Sequence, residues 1–218
     1  MAGSAIPPYS VVRGFTLLEL LSVIAVIGIL AALLFPTVGA ARRSANKART
    51  KVQFTQWAAA IESFRSEYGY YPAFDATNLV NGGASTAPAG DHLFHDILAG
   101  KKRDGSALTG TLPASAGGQN RKRIGFYTFT DNDLTDASSP APNLIRDAFD
   151  NTEIAVLVDR NLDGVINSSD YGGSLPLVAG IAPGTTDFPA AGIRAGVIFY
   201  APAPDATAAQ PEFIFSWK

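Results

Sequence analysis

One feature limits what this chain can become: an apolar run over residues 15–41 that carries a single charge, Glu19. As a helix the run would reach about 40 Å, more than the roughly 30 Å hydrocarbon layer of a bilayer. It is too long for the apolar core of a secretory signal, and no Ala-x-Ala site closes it. A charged side chain in a lipid-facing helix costs roughly 2.5–3.5 kcal/mol on insertion scales, and such residues usually have a functional partner. The plain reading is a signal-anchor helix with Glu19 reaching to one interface. That reading leaves the string Arg13-Gly14-Phe15-Thr16-Leu17-Leu18-Glu19 unexplained.

The string resembles the class III signal peptide of type IV pilins and type II secretion pseudopilins, whose leader ends in Gly and whose mature chain starts with Phe and carries Glu at its fifth position. The resemblance implies a leader of residues 1–14, cut after Gly14 by an aspartic prepilin peptidase that methylates the new amine of Phe15. It implies that residues 15–41 are the transmembrane and assembly half of a long helix. Glu19 would then pair with the Phe15 amine of a neighbouring subunit and set the axial register. Pro36 falls where the family commonly has Pro, and by its own chemistry it removes a backbone donor and should kink or locally open the helix. Gly28 and Gly39 offer small faces to neighbouring helices. Orientation is contested within the sequence. Arg13 alone precedes the span, whereas Arg42, Arg43, Lys47, Arg49 and Lys51 follow it. The positive-inside rule alone would keep the C-terminal part in the cytoplasm; the resemblance implies a cytoplasmic N terminus and a periplasmic domain.

Beyond the run, Phe54, Trp57, Ile61, Phe64 and Tyr68 recur at helical spacing, with Arg49, Gln53, Gln56, Ser63 and Glu67 on the opposite face. This predicts one long helix to about Tyr68, membrane half first and amphipathic half (42–68) second. Gly69 and Pro72 end it, and Tyr68-Gly69-Tyr70-Tyr71-Pro72 resembles the string at which pseudopilins leave that helix. Residues 73–120 read as a variable loop region with one short helix over 91–99. His92 and His95 sit on that helix; the expectation is surface histidines rather than a metal pair. Strands are expected over 124–130, 153–158, 193–201 and 212–217, within a β-region spanning 121–218. The fold class is α+β, a long N-terminal helix packed on a small antiparallel sheet, pilin-like by resemblance. Domain bounds are 1–14, 15–41 and 42–218.

Residues 159–170 fit a twelve-residue calcium loop. Asp159, Asn161, Asp163, Asn167 and Asp170 supply side-chain oxygens at positions 1, 3, 5, 9 and 12, Val165 a carbonyl at position 7, and Gly164 the turn at position 6. Position 12 is Asp, shorter than the usual bidentate Glu, as in dockerin-type loops. The flanks do not read as a helix-loop-helix pair, so Ca²⁺ is expected as a staple on a sheet domain. The chain has no cysteine, which excludes disulfides and thiolate sites. In major pseudopilins a bound calcium orders the C-terminal β-region, so the resemblance points to that branch. Asp147-Ala148-Phe149-Asp150-Asn151 stands where that branch often has Asp-Pro-Trp-Gly-Asn.

No nucleophile elbow, phosphate loop or zinc-protease helix is present, so no enzyme is expected. A net charge of -2 with pI near 5.6 gives no nucleic-acid footprint. The expected role is a pseudopilin of a type II secretion system. Its expected partners are copies of itself in a helical fibre, other pseudopilins and inner-membrane secretion machinery, prepilin peptidase and the bacterial inner membrane. The alternatives are a type IV pilin for adhesion, motility or DNA uptake, and a membrane-anchored, calcium-dependent protein-binding module.

Overall fold

The computed structural model describes residues 14–218; side chains at 33–37 lie outside the described set, as do the leader residues 1–13. Helix α1 runs from Leu17 to Tyr68 and is helical through position 36. It is followed by α2 (Leu93–Ala99), α3 (Ala116–Gln119), β1 (Ala155–Val158), α4 (Ser168–Tyr171), β2 (Val197–Pro202) and β3 (Phe213–Phe215). The chain divides into two compact units, Met1–Ser44 and Ala45–Lys218.

In the first unit the apolar side chains of α1 are exposed, Leu17 at 88 % and Ile29 at 64 %. Among the described residues no helix is long and apolar enough to cross a membrane. The uninterrupted described stretch, 17–32, is shorter than the roughly 20 residues a span needs.

The second unit is an α+β domain. The predicted stripe on α1 is its core: Phe54, Trp57, Ile61 and Phe64 are fully buried, each such burial contributing about 1.5–3 kcal/mol. Trp57 meets Phe94 of α2 edge-on at 5.4 Å, and Phe54 stacks on Phe199 of β2 at 5.4 Å. The helix stops where Gly69 N–H donates to Arg65 O at 2.7 Å.

The sheet is antiparallel in the order β1-β2-β3, with Ala155 opposite Tyr200 and Tyr200 opposite Phe215. Strand alternation sorts its side chains between two cores. Val156, Val158, Val197, Phe199, Ala201 and Ile214 join the α1 core. Leu157, Ile198, Tyr200, Phe213 and Phe215 join a second cluster completed by Ile166, Val178, Ile181 and Phe188. Residues 171–193 thus cover the face of the sheet turned away from α1, which is why every strand position is buried.

Three expectations are corrected. Residues 124–130 form no strand: Phe126 and Tyr127 both donate backbone N–H to Leu98 O, at 2.7 and 3.0 Å, so this extended segment is tied to the end of α2 rather than to a strand. His92 and His95 are buried, not on the surface. His92 caps α2, its Nδ1 accepting from His95 N at 3.3 Å while Nε2 faces Asn81 Oδ1 at 2.8 Å. His95 Nδ1 pairs with Asp96 Oδ1 at 3.0 Å. The expected strand over 193–201 begins later, at Val197; Ile193 instead bridges to Ile166.

Candidate processing site and cation loop

At the N-terminal site, no described residue packs against Gly14. A Cβ built there meets no atom within 4 Å, and its backbone is not left-handed. Phe15 is 85 % exposed. Thr16 caps α1 in a reciprocal arrangement: Glu19 N donates to Thr16 Oγ1 at 3.1 Å, and Thr16 N donates to Glu19 Oε2 at 2.9 Å. Thr16 Oγ1 also donates to Oε2 at 3.0 Å. This is a capping box, which satisfies two helix-end donors at once. Thr16 was not singled out from the sequence, although the Thr-x-x-Glu spacing before an apolar run is its signature. Glu19 Oε1 has no partner among the described residues. The Pro36 side chain falls outside them.

The second site begins where β1 ends. Asp159 Oδ1 accepts from Asp163 N at 3.1 Å and its Oδ2 from Gly164 N at 2.8 Å. Asp163 Oδ1 accepts from Val165 N at 2.8 Å, and Asn161 Oδ1 from Asp163 N at 3.0 Å. Asp170 closes the loop: Oδ1 accepts from Arg160 N and Oδ2 from Asn167 N, both at 2.9 Å. The latter bond is half of a capping box with Asn167 at the start of α4. Gly164, at φ 84, takes the left-handed backbone the turn demands. Leu162 sits at φ 62 without glycine's freedom. The loop is fastened to the domain by the Ile166–Ile193 bridge and by Asp159 N–H donating to Gly196 O at 2.9 Å.

Asp159 and Asp170 are 2 % and 3 % exposed. None of the ion pairs among the described residues includes Asp159, Asp163 or Asp170. Buried carboxylates without a cation carry uncompensated charge. Arg65 and Arg194 do border the same depression of about 430 Å³ as Asp159 and Asp163. No three His, Cys, Asp or Glu side chains converge as a metal site among the described residues. A cation here would therefore draw on Asn161, Asn167 and the Val165 carbonyl as well as on the acids, a hard-oxygen set of the kind Ca²⁺ accepts.

A long N-terminal helix whose second half packs on a small antiparallel sheet defines a pilin-like α+β protein. Residues 10–35 match the prokaryotic N-terminal methylation motif, the prepilin-type signal of type IV pilins and pseudopilins. The matched segment contains Gly14, Phe15, Thr16 and Glu19, the residues of the N-terminal site. No curated protein and no solved structure matches the chain.

Proposed function

We propose that the chain is a structural subunit of the periplasmic pseudopilus of a type II secretion system. The observation that carries the reading is the methylation motif at residues 10–35, with Gly14, Phe15 and Glu19 at the positions that processing and fibre register use. On this reading the domain faces the periplasm and the N terminus the cytoplasm of the inner membrane. The subunit polymerises with copies of itself and with other pseudopilins. Mass spectrometry of the mature protein tests it. An N-methylated Phe15 is expected; an intact Met1, or a cut elsewhere, rejects the reading.

The pseudopilin rather than pilin assignment draws support from the absence of cysteine together with the 159–170 loop. We propose that Asp159, Asn161, Asp163, the Val165 carbonyl, Asn167 and Asp170 hold Ca²⁺. The ion would stand where a disulfide stands in many pilins, fixing the joint between β1 and the covering segment 171–193. At a hundredfold excess over its Kd, Ca²⁺ would add about 2.7 kcal/mol, or about 5–10 °C in melting temperature for a domain of this size. Asp170→Ala should abolish that response. A midpoint indifferent to calcium and to chelator would remove the ion from the model of the fold.

A further inference from the structure

Apart from these two sites, two exposed patches of opposite charge stand along α1. Lys101, Arg121, Lys122 and Arg123 are all exposed, close to where α1 and α2 end. A Cβ on Gly100 would lie 2.7 Å from Arg123 O, so the end of α2 abuts the turn that carries the other three cations. Asn120, fully buried, fixes this joint. Its Oδ1 accepts from Tyr68 Oη at 2.7 Å, and its Nδ2 donates to Ile97 O and Ile124 O, both at 2.8 Å. The backbone bearing the charges is thus held in place before any contact, which lowers the ordering cost of making one. Lys122 pairs with Glu67, and none of the other three cations enters an ion pair among the described residues. The C termini of α1 and α2 contribute about half a negative charge each, so an excess of positive charge remains.

The second patch is the turn bearing Asp131, Asp133 and Asp136, of which Asp131 and Asp136 are exposed. Gln53 Nε2 donates to Asp133 Oδ1 at 3.1 Å and ties this turn to α1. None of its three acids enters an ion pair among the described residues, and Arg146 beside them is held by Asp150 at 2.8 Å. Residues 121–133 follow α1 from one patch to the other, with Phe126 against Phe64 at 5.5 Å on the way. Gln53 and Glu67 mark the two ends, about 21 Å apart along the helix at 1.5 Å per residue. That is about two Debye lengths in 0.1 M salt, so the patches do not neutralise each other within one chain. A lipid surface or an anionic polymer would meet the cations and be repelled by the acids. A second copy carries both signs, and so answers both patches.

We propose that the patch of Lys101 and Arg121 to Arg123 on one copy receives the Asp131 to Asp136 turn of a second copy. The proposal rests on the fibre reading for a second copy held close by. With the α1 helices parallel in that fibre, the contact offsets the two copies by about 21 Å along the helix axis.

The test uses the full chain, which has no cysteine of its own, in membranes of cells that produce it. Lys101→Cys and Asp136→Cys are placed on copies with different tags and joined by a short bis-maleimide. Dimers carrying both tags are expected, in clear excess over Lys101→Cys linked to itself. Arg123→Asp on the first copy should lower the mixed yield about fivefold or more, and Asp131→Arg on the other should restore it. Arg123 lies at φ 54, a backbone that Asp tolerates well; if that variant misfolds, Arg121→Glu takes its place. No mixed dimers, equal linking of Lys101→Cys to itself, an undiminished yield on charge reversal, or no rescue by Asp131→Arg overturns the proposal. So does a charge reversal that lowers binding to phosphatidylglycerol vesicles while no mixed dimer forms in the wild-type background, which gives the cations to a lipid surface. Mass spectrometry of the N terminus in the same membranes separates the two readings. Methylated Phe15 without mixed dimers rejects this contact alone, and mixed dimers on an unprocessed chain keep the contact and reject the fibre.

Discussion

At the junction of α1 and β2 the domain depends on an absent side chain. A Cβ on Gly196 would lie 2.0 Å from Tyr71 Oη and 2.1 Å from Glu62 Oε1. Those atoms form one bond, with Tyr71 Oη–H donating to Glu62 Oε1 at 2.7 Å, while Arg65 Nη1 donates to Tyr71 Oη at 3.1 Å and its guanidinium lies 4.9 Å over the Tyr71 ring. Burial raises the Tyr71 pKa first, and the Glu62 bond raises it further, so the phenol stays protonated as a donor. Gly196→Ala would push both tips apart and forfeit this bond, at a cost of about 1–3 kcal/mol. Tyr71→Phe loses the same bond for about 0.5–1.5 kcal/mol. Because both changes remove one interaction, the double variant should cost clearly less than the sum. Urea unfolding of the three variants measures this, and strict additivity would refute the shared bond. Gly196 has no visible role in the sequence, since its neighbours come from residues more than a hundred positions away.

The helices and strands differ in how much of them the sequence displays. The α1 stripe is legible because one face is buried and the other wet, so its 3.6-residue period survives in the residues. The strands read as short apolar runs, without the alternation that would assign their faces, because both faces are covered. Residues 124–130 carry the same kind of run and form no strand, since a strand is defined by its partner and theirs is the end of α2. Element α2 was legible as a helix, but the burial of its histidines was not, because Asn81, the partner of His92, lies across a turn-rich segment. His92 also sets a pH dependence. Burial first, then the charges of Arg103 and His95, holds its pKa down at about 3, against about 6.5 in the unfolded chain. Below pH 6.5 the unfolded state therefore binds the extra proton, and stability falls as pH drops from 6.5 towards 3. Protonation would also remove the Nδ1 acceptor that caps α2. His92→Asn, a good cap without a titrating ring, should flatten this part of the acid-side slope. Equilibrium unfolding at pH 7, 5.5 and 4.5 compares the two, and an equal slope in the variant would place the dependence elsewhere.

For the whole molecule, Glu19 has two roles that can be separated. In the single chain its Oε2 belongs to the Thr16 capping box, an intramolecular use that the spacing Thr16–Glu19 already encodes. In the proposed fibre its charge would meet a neighbour's Phe15 amine, and Oε1 is available for that. A glutamine retains the capping box, since Gln serves at that position as Glu does, but it removes the charge. Thr16→Val does the reverse. If register in the fibre comes from the ion pair, Glu19→Gln should give a processed, membrane-resident subunit that fails to enter fibres, and Thr16→Val should still enter them. If fibre entry needs only a well-capped helix start, the two variants should behave the other way round. The thermal midpoint of the domain should be the same in both, because its buried core lies between Thr50 and Phe215 and the changes fall in the unit that ends at Ser44. Fibre recovery by shearing, scored against membrane-bound subunit, reads the outcome. Efficient incorporation of Glu19→Gln would end the ion-pair account while leaving the processing site intact.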